Sequence, residues 1–83
     1  MVALVEDVLS TLDETASLLG HSPFSAQSAN ALEHVQGARI SFLGGMPLEF
    51  MLNVRMLRDA VERIPDEQTR EAAAHILERL PRE

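Results

Sequence analysis

Residues 46–64, MPLEFMLNVRMLRDAVERI, decide how the rest of the chain is read. Phe50, Val54, Leu57, Val61 and Ile64 recur at steps of four, three, four and three. That spacing stacks them on one face of an α-helix. Pro47 stands where a first helical turn accepts proline, because the N–H there has no intrahelical partner. The first half of the segment carries more apolar bulk than one stripe needs. Leu48, Met51, Leu52 and Met56 lie outside it, interrupted only by Glu49, Asn53 and Arg55. The second half is one-sided, with Arg58, Asp59, Glu62 and Arg63 opposite the stripe. A helix apolar nearly all round is normally buried on all sides. Three other helices of a short chain can hardly provide that cover.

Working outward, Gly44-Gly45 separates this helix from an earlier one. There Phe24, Ser28, Ala31, Val35, Ala38 and Phe42 keep helical steps, and most of the stripe is small. Ser22 as N-cap and Pro23 at the first helical position mark its start. Gly37 costs about 1 kcal/mol relative to alanine in a helix interior. Residues 38–43 also alternate in the manner of a short strand. Nothing else in the chain offers a strand partner, so helix is expected throughout. In the first segment Val2, Val5, Leu9, Leu12, Ala16 and Leu19 form the stripe, with Val8 beside it and Glu6, Asp7, Asp13 and Glu14 opposite. Gly20 ends it in a position that favours a left-handed cap. After Ile64-Pro65, a last segment places Ala73, Ile76, Leu77 and Leu80 on one side, pairs Asp66 with Arg70 and closes at Pro81.

The expected fold is therefore all-α: one domain over residues 1–83, a small antiparallel four-helix bundle, dimeric or partner-bound. Its helices are expected at about 2–19, 23–43, 47–63 and 66–80. The short connections favour antiparallel neighbours.

Composition narrows the function classes. There is no cysteine, which excludes disulfides, thiolate metal sites and a cysteine nucleophile. The net charge is −6 and lysine is absent. An acidic chain is a poor match to nucleic acid, where phosphate neutralisation supplies most of the affinity, and to an anionic membrane surface. No apolar run approaches the ~20 residues that span a bilayer. The first residues lack a basic segment and meet Glu6 and Asp7 at once, unlike a signal peptide. A cytoplasmic protein is expected. None of the serines sits in a strand–turn–helix elbow, and without lysine there is no phosphate-binding loop. No cofactor or resident metal is expected, and no enzymatic activity.

The first function these features suggest is a non-catalytic interaction module: an accessory subunit, adaptor, chaperone-like factor or inhibitor. It would pair with itself, as a homodimer, or with a larger protein. The surface would be Met46, Leu48, Phe50, Met51, Leu52 and Met56, with the end of the second helix; methionine-rich surfaces adapt readily to partners. Acidic rims on the first and last helices would set orientation and encounter rate.

Two other readings stay open. His34 lies in the middle of the second helix and is followed by Leu43-Gly44-Gly45. The stretch from His34 to Gly45 resembles the segment around the phosphorylated histidine of bacterial histidine phosphotransfer domains. The resemblance covers a dozen residues and implies a helical bundle with an exposed mid-helix histidine, here His34, that carries a phosphoryl group. Gly37 stands where that family has a lysine, and Ala38 where it has a glycine. The other reading is a helical ligand- or metal-binding domain. Glu71, His75 and Glu78 share a face of the last helix, although no second helix carries a matching set.

Overall fold

The computed structural model describes residues 2–80, with side chains from Val5 onward. Among the described residues there are four helices and no strand: α1 (Val2–Gly20), α2 (Ala26–Leu43), α3 (Pro47–Glu62) and α4 (Glu67–Leu77). Each packs on two neighbours in a ring, α1 on α2, α2 on α3, α3 on α4 and α4 on α1. The α2–α3 contact is the most extensive. α2 and α3 run antiparallel, since Phe42 meets Phe50 beside their turn while Ala26, Asn30 and His34 line a cleft with Met56, Asp59 and Arg63 farther from it. The places of Val2 in the α1 stripe and of Pro81 as a stop lie outside the described side chains and residues.

The core face of α1 is Val8, Leu12 and Leu19 together with Thr11 and Thr15. It is turned toward Val8 relative to the expected stripe, and Val5 is exposed. The threonines explain the turn. Thr11 Oγ1 donates to Asp7 O at 2.7 Å and Thr15 Oγ1 to Thr11 O at 2.8 Å. With the hydroxyl satisfied inside its own helix, the rest of a threonine is a small apolar group that can be buried.

α2 begins three residues later than expected, and its N-cap is Ser25 rather than Ser22. Ser28 N–H donates to Ser25 Oγ and Ser25 N–H to Ser28 Oγ, both at 3.0 Å, which makes a reciprocal capping box. Ser22 is already engaged, since its Oγ donates back to Leu18 O at 2.5 Å. Phe24 is thereby left in the connection, 87% exposed, rather than in the α2 stripe. Gly20 is not left-handed; the single positive-φ glycine among the described residues is Gly45, at 69°. Residues 38–43 are helical.

Gly45 forms the tight turn into α3. Gly45 N–H donates to Phe42 O at 3.3 Å and Met46 N–H to Ser41 O at 2.9 Å. These are the two bonds of a Schellman cap, which needs a left-handed residue at Gly45's position. α4 ends at Leu77, short of the expected Leu80, although Leu80 remains buried. Asp66 serves as its N-cap, accepting from Thr69 N at 2.9 Å. Arg70 Nη1 donates to Ile64 O at 2.8 Å, and the Arg70 charge acts on Asp66 without a hydrogen bond to it.

Candidate interaction surface

The α2–α3 hairpin is held by a polar contact in its middle. Asn53 Nδ2 donates to Glu49 O at 2.8 Å and to Ser41 Oγ at 3.3 Å. Its Oδ1 lies where a Cβ on Gly37 would be, only 2.5 Å from the ideal position. The glycine that weakens α2 as an isolated helix is thus what lets α3 cross it closely. Phe42 and Phe50 meet beside this crossing, with ring centroids 5.2 Å apart and planes tilted by 48°.

The remaining apolar side chains of this end point outward. Leu48 is 81% exposed, and Met51, Leu52 and Met56 are also exposed. Leu48, Leu52 and Met56 follow one another at steps of four, so they line one ridge of α3. Met46 and Phe50, expected in the same surface, are half-buried. Met46 is drawn in by the Schellman turn, and Phe50 by Phe42. Together with Ser41, Gly45 and Pro47 they line a shallow apolar recess of about 260 Å³. Two residues not singled out in the sequence join the surface. Ile40 and Leu43, at the end of α2, are 65% and 61% exposed. At 100° per residue both fall opposite Ala38, which is fully buried.

Helix geometry explains why Leu48 and Leu52 are bare, since they lie opposite the buried Leu57 and Val61, on the face where Asp59, Glu62 and Arg63 are exposed farther along; the first turns of α3 also outrun α4. α4 has eleven residues and α3 sixteen, about 16 Å against 24 Å at 1.5 Å per residue. The two run antiparallel from the Ile64–Asp66 turn. Arg58 Nη2 reaches Leu77 O at 3.2 Å and Leu80 O at 3.3 Å, which places the end of the described chain level with Arg58. The turns of α3 before Arg58 therefore extend past α4.

Formal charge divides along the same line. Residues 26–63, which span α2 and α3, hold four carboxylates (Glu33, Glu49, Asp59, Glu62) and four arginines (Arg39, Arg55, Arg58, Arg63). Residues 1–25 hold four carboxylates and no arginine, and residues 64–83 hold five against three. The whole net charge of −6 thus lies outside the hairpin.

His34 is half-buried in α2 and lines an open cleft of about 470 Å³ against Met56, Asp59, Ala60 and Arg63 of α3. Arg63 and Asp59 pair at 3.4 Å at its edge. Position 37, where the phosphotransfer resemblance would want a lysine, abuts Asn53. On α4, His75 Nδ1 lies 3.9 Å from Glu78 Oε1 and both side chains are largely exposed. Among the described residues no three histidine or acidic side chains converge as metal ligands would. No helix among them is long and apolar enough to cross a membrane. No family model, curated protein or solved structure matches the chain.

Proposed function

We propose that this chain is a non-catalytic interaction module that docks through the outward face of the α2–α3 hairpin. One observation carries the reading. Of the eight exposed large apolar side chains among the described residues, six (Ile40, Leu43, Leu48, Met51, Leu52 and Met56) belong to this hairpin, and Val5 and Phe24 are the others. Among the described residues no buried side-chain nitrogen or oxygen lacks a hydrogen-bond partner. Large apolar side chains gathered on one polar-rimmed face mark an interaction site more often than scattered ones do. Burying each half-exposed leucine, isoleucine or methionine is worth about 1 kcal/mol. Six of them offset much of the roughly 4–15 kcal/mol that association costs.

The experiment is fluorescence of an apolar dye titrated with protein, comparing wild type with the Leu48→Asp/Leu52→Asp double variant. Wild type is expected to enhance the dye. The double variant, with unchanged helical circular dichroism, is expected to lose most of the enhancement. Equal, negligible signals from both would remove the basis for a docking face.

A further inference from the structure

We propose that Met51 and Met56 form a reversible oxidation site: their thioethers take one oxygen atom each from a peroxide, and the sulfoxides turn the apolar face of α3 polar while the fold stays intact. The consequence for docking rests on the reading above. The site itself rests on where the methionines stand.

The chain offers a peroxide few other targets. Cysteine, tryptophan and tyrosine are absent, and methionine is present. A thiolate, which would compete for the oxidant, is therefore missing. Met46, Met51 and Met56 all stand outside the core, whose apolar members among the described residues are valine, leucine, isoleucine and alanine. Met51 is 38% and Met56 44% exposed. Met46 is half-buried. Its Cε lies 3.2 Å from the ideal Cβ position at Gly44, and it shares the apolar recess with Phe42 and Phe50. Access therefore ranks Met51 and Met56 ahead of Met46.

Position on the helix makes the pair effective. Met51 and Met56 stand about 140° apart around α3 at 100° per residue, with Leu48 and Leu52 between them. They are the two edges of the outward apolar arc, Met56 on the side of the cleft with His34. In the oxidation a sulfur lone pair attacks one peroxide oxygen. The S–O bond forms, the O–O bond breaks, and the second oxygen leaves as water. Sulfur gives up two electrons and the peroxide takes them. A flexible apolar side chain becomes a polar sulfoxide. Both edges of the arc then carry strong hydrogen-bond acceptors, and the leucines between them lose their apolar border. The reverse step belongs to a thiol-dependent sulfoxide reductase, which restores the thioether, releases the oxygen as water and leaves a disulfide on the reductant. The core, with no methionine among its described members, is spared in both directions.

The test treats the protein with hydrogen peroxide and follows oxygen uptake at each methionine by peptide mass spectrometry, helicity by circular dichroism, and the apolar-dye enhancement. Wild type is compared with Met51→Leu/Met56→Leu, which keeps the apolar volume and removes both sulfurs. Met51 and Met56 are expected to gain oxygen severalfold faster than Met46. Helicity should hold while wild type loses most of its dye enhancement, and sulfoxide reductases with thiol should restore it. The double-leucine variant should bind the dye alike before and after peroxide. Equal oxidation rates at Met46 and the outer pair overturn the site. A dye signal unmoved by complete oxidation of Met51 and Met56 overturns the switch. So does a loss of helicity that tracks their oxygen uptake, or an equal loss of dye signal in the double-leucine variant. An untreated wild type that does not enhance the dye is a different failure, seen before any oxidant is added: it ends the docking reading, and the switch with it.

Discussion

The two halves of α3 lie in one helix and share one apolar stripe, yet they live in different surroundings. In the second half Leu57, Ala60 and Val61 are buried, Ile64 follows them into the core, and Arg58 ties the helix to the last carbonyls of the α4 region. In the first half only Val54 is buried, and Leu48, Met51, Leu52 and Met56 face outward. Position on the helix makes much of this difference: Leu57 stands in the core stripe, while Leu48 and Leu52 stand on the opposite face, which the exposed Asp59, Glu62 and Arg63 occupy in the second half. α4 covers the second half and stops level with Arg58, while α2 covers one side of both. What the first half teaches is that an amphipathic helix can be finished as part of a fold and still be unfinished as a surface.

The contrast is sharpest for leucines truncated in the two halves. Leu57→Ala removes a fully buried side chain and should cost about 2–5 kcal/mol. Leu52→Ala, at an exposed position, should change stability by no more than about 0.5 kcal/mol. Urea unfolding followed by circular dichroism checks both. Comparable losses at the two sites would mean that the outward face of α3 is as covered as its core stripe.

The next effect is smaller and changes sign with its background. Gly37→Ala places a Cβ against Asn53 Oδ1. It forces that side chain off its bonds to Ser41 and Glu49, each worth about 0.5–1.5 kcal/mol. The roughly 1 kcal/mol gained in helix propensity offsets only part of this, so a net loss is expected. In an Asn53→Ala background the obstacle is gone, and the same substitution should stabilise by up to about 1 kcal/mol. A double-mutant cycle from chemical denaturation reads the coupling. Equal effects of Gly37→Ala in both backgrounds would show that the crossing does not constrain the hairpin.

These sites also show what one-dimensional patterning could and could not supply. The number of helices, their breaks at Gly44-Gly45 and Ile64-Pro65, and the small-residue face of α2 were legible, because periodicity and turn chemistry are local. The face of α1 was misjudged because threonine counts as polar until its hydroxyl is seen to bond its own helix. The start of α2 moved because two serines competed for the cap, and Ser22 was drawn back to Leu18 O. On the candidate surface, the excess of apolar residues on α3 was legible. That Met46 and Phe50 turn inward was not, since it depends on the Schellman turn and on Phe42. The end of the second helix was legible as part of the surface, although Ile40 and Leu43 are singled out only by their exposure in the fold. Gly37 reads as a defect in sequence and becomes a contact only when Asn53 is placed beside it.

The smallest effect concerns the turn that fastens α4 to the covered half of α3. Asp66 accepts from Thr69 Oγ1 at 2.5 Å and from Thr69 N at 2.9 Å. The Thr69 hydroxyl, followed by its backbone N–H, holds the Asp66 carboxyl below its ordinary value against the opposing effect of burial, with a lesser contribution from the Arg70 charge. A carboxyl whose folded-state pKa is depressed adds stability that is present above its unfolded value, near 3.8, and is lost as pH falls through the folded one. Thr69→Val keeps the buried shape and removes the hydroxyl, and with it the largest cause of the shift. The melting temperature of wild type should therefore exceed that of Thr69→Val at neutral pH by a small margin that narrows as the solution is acidified below pH ~4. Leu52→Gln, in the uncovered half and far from this cap, should run parallel to wild type across the same range. A margin for Thr69→Val that does not change with pH would mean the hydroxyl acts through packing alone. The fastening of α4 would then owe nothing to the Asp66 charge.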